Sequence, residues 1–360
     1  MFSAVLMFMQ LGFLNAVFDS QVELLRRLNA DLVITNRSKH HLGVSEPFAR
    51  RRLEQARAVP GVQAAYPVYM ETSSSLWKNP QSRKSRLIRV LGVRPEEPVF
   101  LNIPIDSFAS ALRQQDTALF DERSKEFFGA RAPGTQTELA GQRIRIVGAF
   151  RLGTDFDYDG TVILSESNFL KFFPNQRTAD PGLARVELGL VRVRPGVSVE
   201  ETRAAIEKAL PSDIRTWTKA EIVDQEIYFW RVFTPVGFIF GLGLAVGFVV
   251  GTVICSQIRY TSVVDRMPLF GTLKAIGYTN GYLVRLVTGE ALLLSFISFV
   301  PSVCVAYILY DFLASLIGFE MYLTAQRVLL VLAFVVAMCM VSAVVALQKA
   351  ITADPTDVFQ

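Results

Sequence analysis

FTPVGFIFGLGLAVGFVVGTVICSQI, residues 233–258, decides the architecture, because 26 residues pass there without one Asp, Glu, Lys or Arg. A helix crossing a bilayer needs about 20 apolar residues at 1.5 Å each, so this segment is long enough to span. Residues 1–18, 291–310 and 328–348 are equally free of charge. All 37 Lys and Arg and all 33 Asp and Glu therefore lie elsewhere, at the density of about a quarter usual for soluble protein. The mean hydropathy of +0.32 averages over these two kinds of sequence. The fold class expected is a membrane protein with four transmembrane helices and a large mixed α+β domain between the first and second.

The deciding stretch also carries Gly237, Gly241, Gly243, Gly247 and Gly251. The last three form a double G-x-x-x-G, which sets three positions without side chains on nearly one helix face and lets another helix come close. That face suits a homodimer interface or ordinary packing within the chain.

Lys and Arg in short connections set orientation. Arg259, Arg266, Lys274 and Arg285 lie between the second and third spans, whereas the turn before the fourth span has only Arg327. The first of these loops is assigned to the cytoplasm. The resulting plan is a first transmembrane helix over 1–19, an external domain over 20–232, a second helix over 233–258 and a cytoplasmic loop over 259–285. A third helix over 286–313, a short external turn over 314–327, a fourth helix over 328–348 and a cytoplasmic tail over 349–360 complete it. Residues 1–18 lack the basic flank and small-x-small cleavage site of a signal peptide, so an uncleaved anchor is expected, with the given start falling inside the true helix.

Within the large domain, residues 30–35, 62–70, 87–93 and 185–193 read as strands, and Ser45 with Pro47 in the first turn reads as the start of a helix. Ser198 with Glu201, and Thr218 with Glu221, read as capping boxes that open helices. Residues 95–182, with strands at 143–150 and 161–164, read as an inserted lobe.

In the cytoplasmic loop, Asp265 and Arg266 precede Pro268, which a first helical turn tolerates; Leu269, Leu273 and Ile276 follow at i, i+4 and i+7 with Phe270 beside them, and Gly277 ends the helix. This amphipathic segment, with Lys274 on its other side, suits docking into a groove of a cytoplasmic partner or lying in the lipid headgroups.

Several classes are excluded. No dense basic face interleaved with aromatics points to nucleic acid. No Walker A, G-x-S-x-G or H-E-x-x-H pattern occurs, so no ATPase or hydrolase centre is expected and any ATP must be used by another chain. Cys255, Cys304 and Cys339 fall one per span and read as small buried hydrophobes; the adjacent His40 and His41 read as a solvated loop. Asp155, Asp157, Asp159, Gly160 and Glu166 match the calcium loop D-x-[DN]-x-[DN]-G-x5-E. A hairpin turned by Asp159-Gly160 is the competing reading.

Thr272-Leu273-Lys274-Ala275-Ile276-Gly277-Tyr278, followed by Glu290-Ala291, resembles the "LKAIG…EA" signature of the FtsX/MacB superfamily of ABC-transporter permeases. Leu152-Gly153-Thr154-Asp155-Phe156, Phe229-Trp230, Thr234-Pro235-Val236-Gly237 and the tail Asp354-Pro355-Thr356-Asp357-Val358-Phe359 bring the resemblance closest to DevC-type permeases. Pro268, Leu269 and Phe270 stand where the wider superfamily often has E-I-G. The resemblance implies a mechanotransmission permease of the bacterial inner membrane with its large domain in the periplasm. It implies a homodimer with no cofactor of its own, driven by a separate ABC ATPase that docks on the cytoplasmic helix. It further implies a periplasmic adaptor and a TolC-like outer-membrane channel, with glycolipid or other apolar cargo. An FtsX-like signalling role and a lipoprotein-release role are the alternatives.

Overall fold

A computed structural model describes residues 1–176, 184–317 and 321–352. Residues 177–182 of the expected lobe, 318–320 of the expected turn and 353–360 of the tail, including the Asp354 to Phe359 stretch, lie outside the described residues. The chain divides into two compact units, residues 17–234 and residues 1–16 with 235–360.

The first unit is built on strands β1 (Leu32–Asn36), β2 (Phe48–Ala49), β3 (Val62–Glu71), β4 (Leu76–Lys78), β5 (Ser85–Leu87), β6 (Arg89–Val93) and β7 (Thr117–Asp121). It continues with β8 (Gln136–Leu139), β9 (Gln142–Phe150), β10 (Thr161–Ser165), β11 (Arg185–Val186), β12 (Leu188–Val193) and β13 (Ile214–Thr218). Eleven of these strands form one sheet in the order β13-β1-β12-β3-β6-β10-β7-β9-β8-β4-β5, while β2 pairs with β11. Residues 95–182 are thus no separate lobe: their strands β7 to β10 lengthen the same sheet, with β10 parallel to β6.

Side chains alternate across a strand, and the two faces of this sheet carry two cores. Leu32, Ile34, Val90, Phe120, Val162, Leu164 and Val191 point into one, with Leu53 of α2 (Arg51–Arg57), Phe169 of α4 (Glu166–Phe172) and Ile206 of α5 (Val199–Ala209). Val33, Leu91, Leu119, Ile163 and Leu190 point into the other, with Leu24 and Leu25 of α1 (Phe2–Arg27), Leu112 of α3 (Ala109–Leu112) and Ile222 of α6 (Lys219–Val232). Two glycines set the helix-to-sheet spacing. A Cβ on Gly189 would meet Leu53 at 2.3 Å, and one on Gly92 would meet Phe169 at 2.5 Å.

Helix starts follow local chemistry at three places. Ser165 caps α4, Ser198 caps α5, and Thr218 forms a full capping box with Glu221 on α6. The helix expected at Ser45 is absent. Ser45 Oγ instead donates to Glu187 at 3.3 Å, Phe48 pairs with Val186 in β2–β11, and the helix begins at Arg51. A tertiary partner far away in sequence outweighs the local signal.

The second unit comprises residues 2–16 of α1 with α7 (Pro235–Asp265), α8 (Met267–Ala275), α9 (Asn280–Ile317) and α10 (Ala325–Thr352). Among the described residues, four helices are long and apolar enough to cross a membrane. Met7, Phe8, Phe299, Ala306, Val331 and Val335 form their shared core. Tyr310 of α9 donates to the Phe8 carbonyl of α1, and Ser342 of α10 to the Thr252 carbonyl of α7 at 3.0 Å. Of the three cysteines Cys339 is buried, but Cys304 is exposed on its helix, so only part of that expectation holds.

Candidate functional site

The helix α8 carries two faces. Met267 and Phe270, one turn apart, pack on Val263, Val287, Ala291, Ala343 and Leu347 at the base of α7, α9 and α10. Away from that face Leu269 is 56% exposed and Ile276 71%, while Leu273, between them in sequence, is half-buried. Pro268 is exposed in the first turn, where its missing N–H costs nothing. Gly277 has φ of +104°, and the Tyr278 amide reaches the Leu273 carbonyl five residues back at 3.1 Å, closing the helix in the left-handed way that favours glycine.

The expected coupling residues therefore sort into roles. Leu269 and Ile276 are the exposed apolar residues, whereas Leu273 is half-buried, as Phe270 is. Phe270, expected beside that stripe, is turned inward. Arg266 is held by both carboxylate oxygens of Glu290 at 3.0 and 3.2 Å. Asp265 closes α7, and Lys274 lies in α8 with its side chain outside the described residues. Ala291 belongs to the cluster on which Phe270 packs, and Glu290 holds Arg266 just before α8, so both residues of the Glu290-Ala291 pair lie where α8 is anchored. Met267 escaped the sequence reading, although its spacing of three from Phe270 was there to see.

The glycine face of α7 is occupied from within the chain. A Cβ on Gly243 would meet Gln10 at 2.7 Å, one on Gly247 would meet Leu6 at 2.5 Å, and one on Gly251 would meet Met338 at 2.4 Å and Ser3 at 2.7 Å. These three glycines admit α1 and α10, which corrects the dimer reading of that face. Gly241 has nothing within 4 Å, and Gly237 lies in the first turn of α7.

The Asp-rich segment does not form a calcium loop. Asp155, 3% exposed, accepts from the amides of Asp157 and Tyr158 and pairs with Arg89, whose other nitrogens donate to Thr161 Oγ1 at 3.1 and 2.9 Å. Glu166 is taken by Arg50, Arg94 and the Tyr69 hydroxyl. Asp159 faces Lys125 at 3.5 Å, and the Asp157 carboxylate lies beside Gly43. The four carboxylates serve different partners, and among the described residues no group of three or more His, Cys, Asp or Glu could hold a metal. The hairpin alternative fails too, because β9 and β10 both pair with β7 and the segment crosses over that strand.

That crossover segment rests against α6. Asp121, fully buried, accepts from the amides of Leu152 and Gly153, and burial pushes its carboxyl up. A second segment, residues 39–45, reaches the same helix. Lys39 is buried, bonded to Glu187 and to the Leu42 and Val44 carbonyls. The Leu42 amide donates to Glu226 Oε2 at 2.8 Å. His41 is half-buried, stacked on Phe229 at 4.0 Å, and burial followed by the Lys39 charge lowers its pKa. His40 is exposed, as expected, but His41, expected in the same solvated loop, is part of a clamp on α6. Nothing local signals this, since Glu187, Glu226 and Phe229 are all distant in sequence.

Residues 1–209 match the family described as MacB-like periplasmic core domain, and residues 238–355 match the FtsX-like permease C-terminal family. The periplasmic region of MacB from Actinobacillus actinomycetemcomitans is similar at 13% identity, covering 55% of this chain and 94% of that one, with a TM-score of 0.39. The extracellular domain of the noncanonic ABC-type transporter YknZ from Gram-positive bacteria is similar at 10% identity, over 52% and 99%, with a TM-score of 0.36. A domain of a putative permease protein from Porphyromonas gingivalis is similar at 20% identity, over 52% and 88%, with a TM-score of 0.34. Among curated proteins none matches.

Proposed function

We propose that this chain, which belongs to the family of the MacB-like periplasmic core domain and carries an FtsX-like permease C-terminal region, is the membrane subunit of an ABC exporter whose ATPase is a separate protein. The observation that carries the reading is the division of α8 and its C-terminal end into an inward face of Met267 and Phe270 anchored on the spans and exposed apolar residues, Leu269 and Ile276. A short helix fixed on one side and apolar on the other suits docking in a groove of the ATPase. Movement of such a helix is handed to α7, α9 and α10 through Phe270, Met267 and the Arg266–Glu290 pair. Beyond the spans, α1 and α6 both lead into the sheet domain, and the clamp on α6 gives that domain a firm hold on one of them.

On this reading the chain works as a homodimer in a bacterial inner membrane, with its large domain in the periplasm. A periplasmic adaptor and a TolC-like channel complete a tripartite exporter of the DevC kind, and glycolipid or another apolar molecule is the cargo. The motif stretches at 152–156, 229–230 and 234–237 support this branch. The test is recovery of the cognate ATPase with the tagged, full-length chain. Leu269→Asp or Ile276→Asp places a charge in the docked face at a cost on the order of 3 kcal/mol, so recovery should fall about a hundredfold. Full recovery with correctly inserted variants would overturn the docking role of α8.

A further inference from the structure

We infer that the crossover segment, residues 152–160, is a foot that the large domain sets on the bilayer, with Phe156 entering the interfacial layer. The segment is rigidly built. Asp121 holds the amides of Leu152 and Gly153, and Asp155 holds those of Asp157 and Tyr158 while paired with buried Arg89. Tyr158, the second aromatic of the segment, lies under the Arg89 guanidinium. In the midst of these fixed groups Phe156 is left 54% exposed. Its ring meets the indole of Trp230 edge to face, 5.6 Å between centroids.

Trp230 fixes where that exposed ring lies. Five residues after it, Pro235 begins the 31-residue apolar helix α7, and five residues reach at most about 17 Å even fully extended. A second marker agrees. The Arg231 guanidinium lies over the ring of Phe18, the last residue of α1 before its first charge, Asp19. The end of α6 therefore sits at the level where the chain passes between water and lipid. Tyr228 and Phe233 are exposed at the same end. Aromatic rings are favoured at the headgroup level, where one side is apolar and the other wet. A phenyl held outward on a rigid loop beside them has the bilayer interface as its natural partner, which explains why an exposed Phe lies next to a buried Asp.

The experiment uses the full chain in proteoliposomes. Phe156→Trp adds one indole to the buried or nearly buried Trp77, Trp217 and Trp230. Lipid brominated near the glycerol end of its acyl chains should quench the added emission, and aqueous iodide should not. Emission quenched by iodide and untouched by bromolipid would place the segment in water and overturn the proposal. Emission shielded from both would mean a protein partner covers Phe156, which overturns it equally. As a second measurement, a nitroxide on Phe156→Cys, in a chain with Cys255, Cys304 and Cys339 replaced by Ala, should collide more with oxygen than with a water-soluble nickel chelate. The reverse preference would sink the assignment. Neither readout depends on whether α8 docks an ATPase.

Discussion

The indole Nε1 of Trp230 donates to Glu226 Oε1 at 3.1 Å, one turn back on α6, and the Leu42 amide holds the other carboxylate oxygen. Only 3% of Glu226 is exposed. Burial pushes its pKa up to about 7 against these two hydrogen bonds and the Lys39 charge, with Asp157 adding to the rise. His41, which also lies on the 39–45 segment, is itself held below its ordinary value.

The sign of the pH dependence follows. Between the ordinary glutamate value of 4.5 and about 7, the folded chain binds the Glu226 proton more than the unfolded chain does. Stability from this group therefore falls as pH rises through that window, by on the order of 3 kcal/mol once the window is crossed. Melting of the full chain in detergent should show Glu226→Gln losing part of this slope. Parallel pH profiles for parent and variant would show that Glu226 titrates as it does in the unfolded chain.

The Arg89–Asp155 pair makes a different demand. Both groups are buried, so removing one leaves an uncompensated charge in the core. Arg89→Met should destabilise by about 3–5 kcal/mol. Asp155→Leu in the same chain should recover much of that loss, because an apolar pair of similar volume is often neutral or stabilising. With Asp155→Leu alone as the third variant, additive losses in denaturant titrations would contradict the pairing.

Asp155 and Glu166 show what the sequence could and could not convey. The Asp155-x-Asp157-x-Asp159-Gly160 spacing fits a calcium loop locally, but Arg89, 66 residues away, takes the first ligand, and two arginines take Glu166. Spacing cannot report a distant cation. By contrast, Thr218 and Glu221 satisfy each other within one turn, so their box was legible. The four spans were legible because a run without charge needs no partner to be recognised. The Gly243, Gly247 and Gly251 face was half legible: close helix approach follows from the missing side chains, while the identity of the approaching helix does not.

Gly277 is the one residue of the α8 motif whose backbone demands glycine. At φ of +104° a side chain is strained, although nothing lies within 4 Å of an added Cβ. Gly277→Ala should therefore cost about 1 kcal/mol through backbone strain alone. Gly271 has equally open surroundings without the positive φ, and Gly271→Ala should stabilise the helix by a few tenths to about 1 kcal/mol. Melting temperatures of the two variants should move in opposite directions, and movement in the same direction would reject the helix-end geometry.

The glycine face of α7 yields the sharpest contrast on one helix. Gly247 lies against Leu6 of α1, whereas Gly241, almost two turns earlier, faces open space. Gly247→Ala meets only the flexible end of the Leu6 side chain, which can shift. Gly247→Leu requires the helices to separate, and overpacking of this kind costs about 1–3 kcal/mol. Gly241→Leu adds its side chain where nothing stands. In detergent, melting should therefore drop clearly for Gly247→Leu, slightly for Gly247→Ala and not at all for Gly241→Leu. Crosslinking of Ser3→Cys to Gly251→Cys, in a chain with Cys255, Cys304 and Cys339 replaced by Ala, reads the same contact directly and should weaken when Gly247→Leu is added. If Gly247→Leu leaves both readouts unchanged while abolishing association between copies of the chain, the face belongs to a dimer and the α1 contact is wrong.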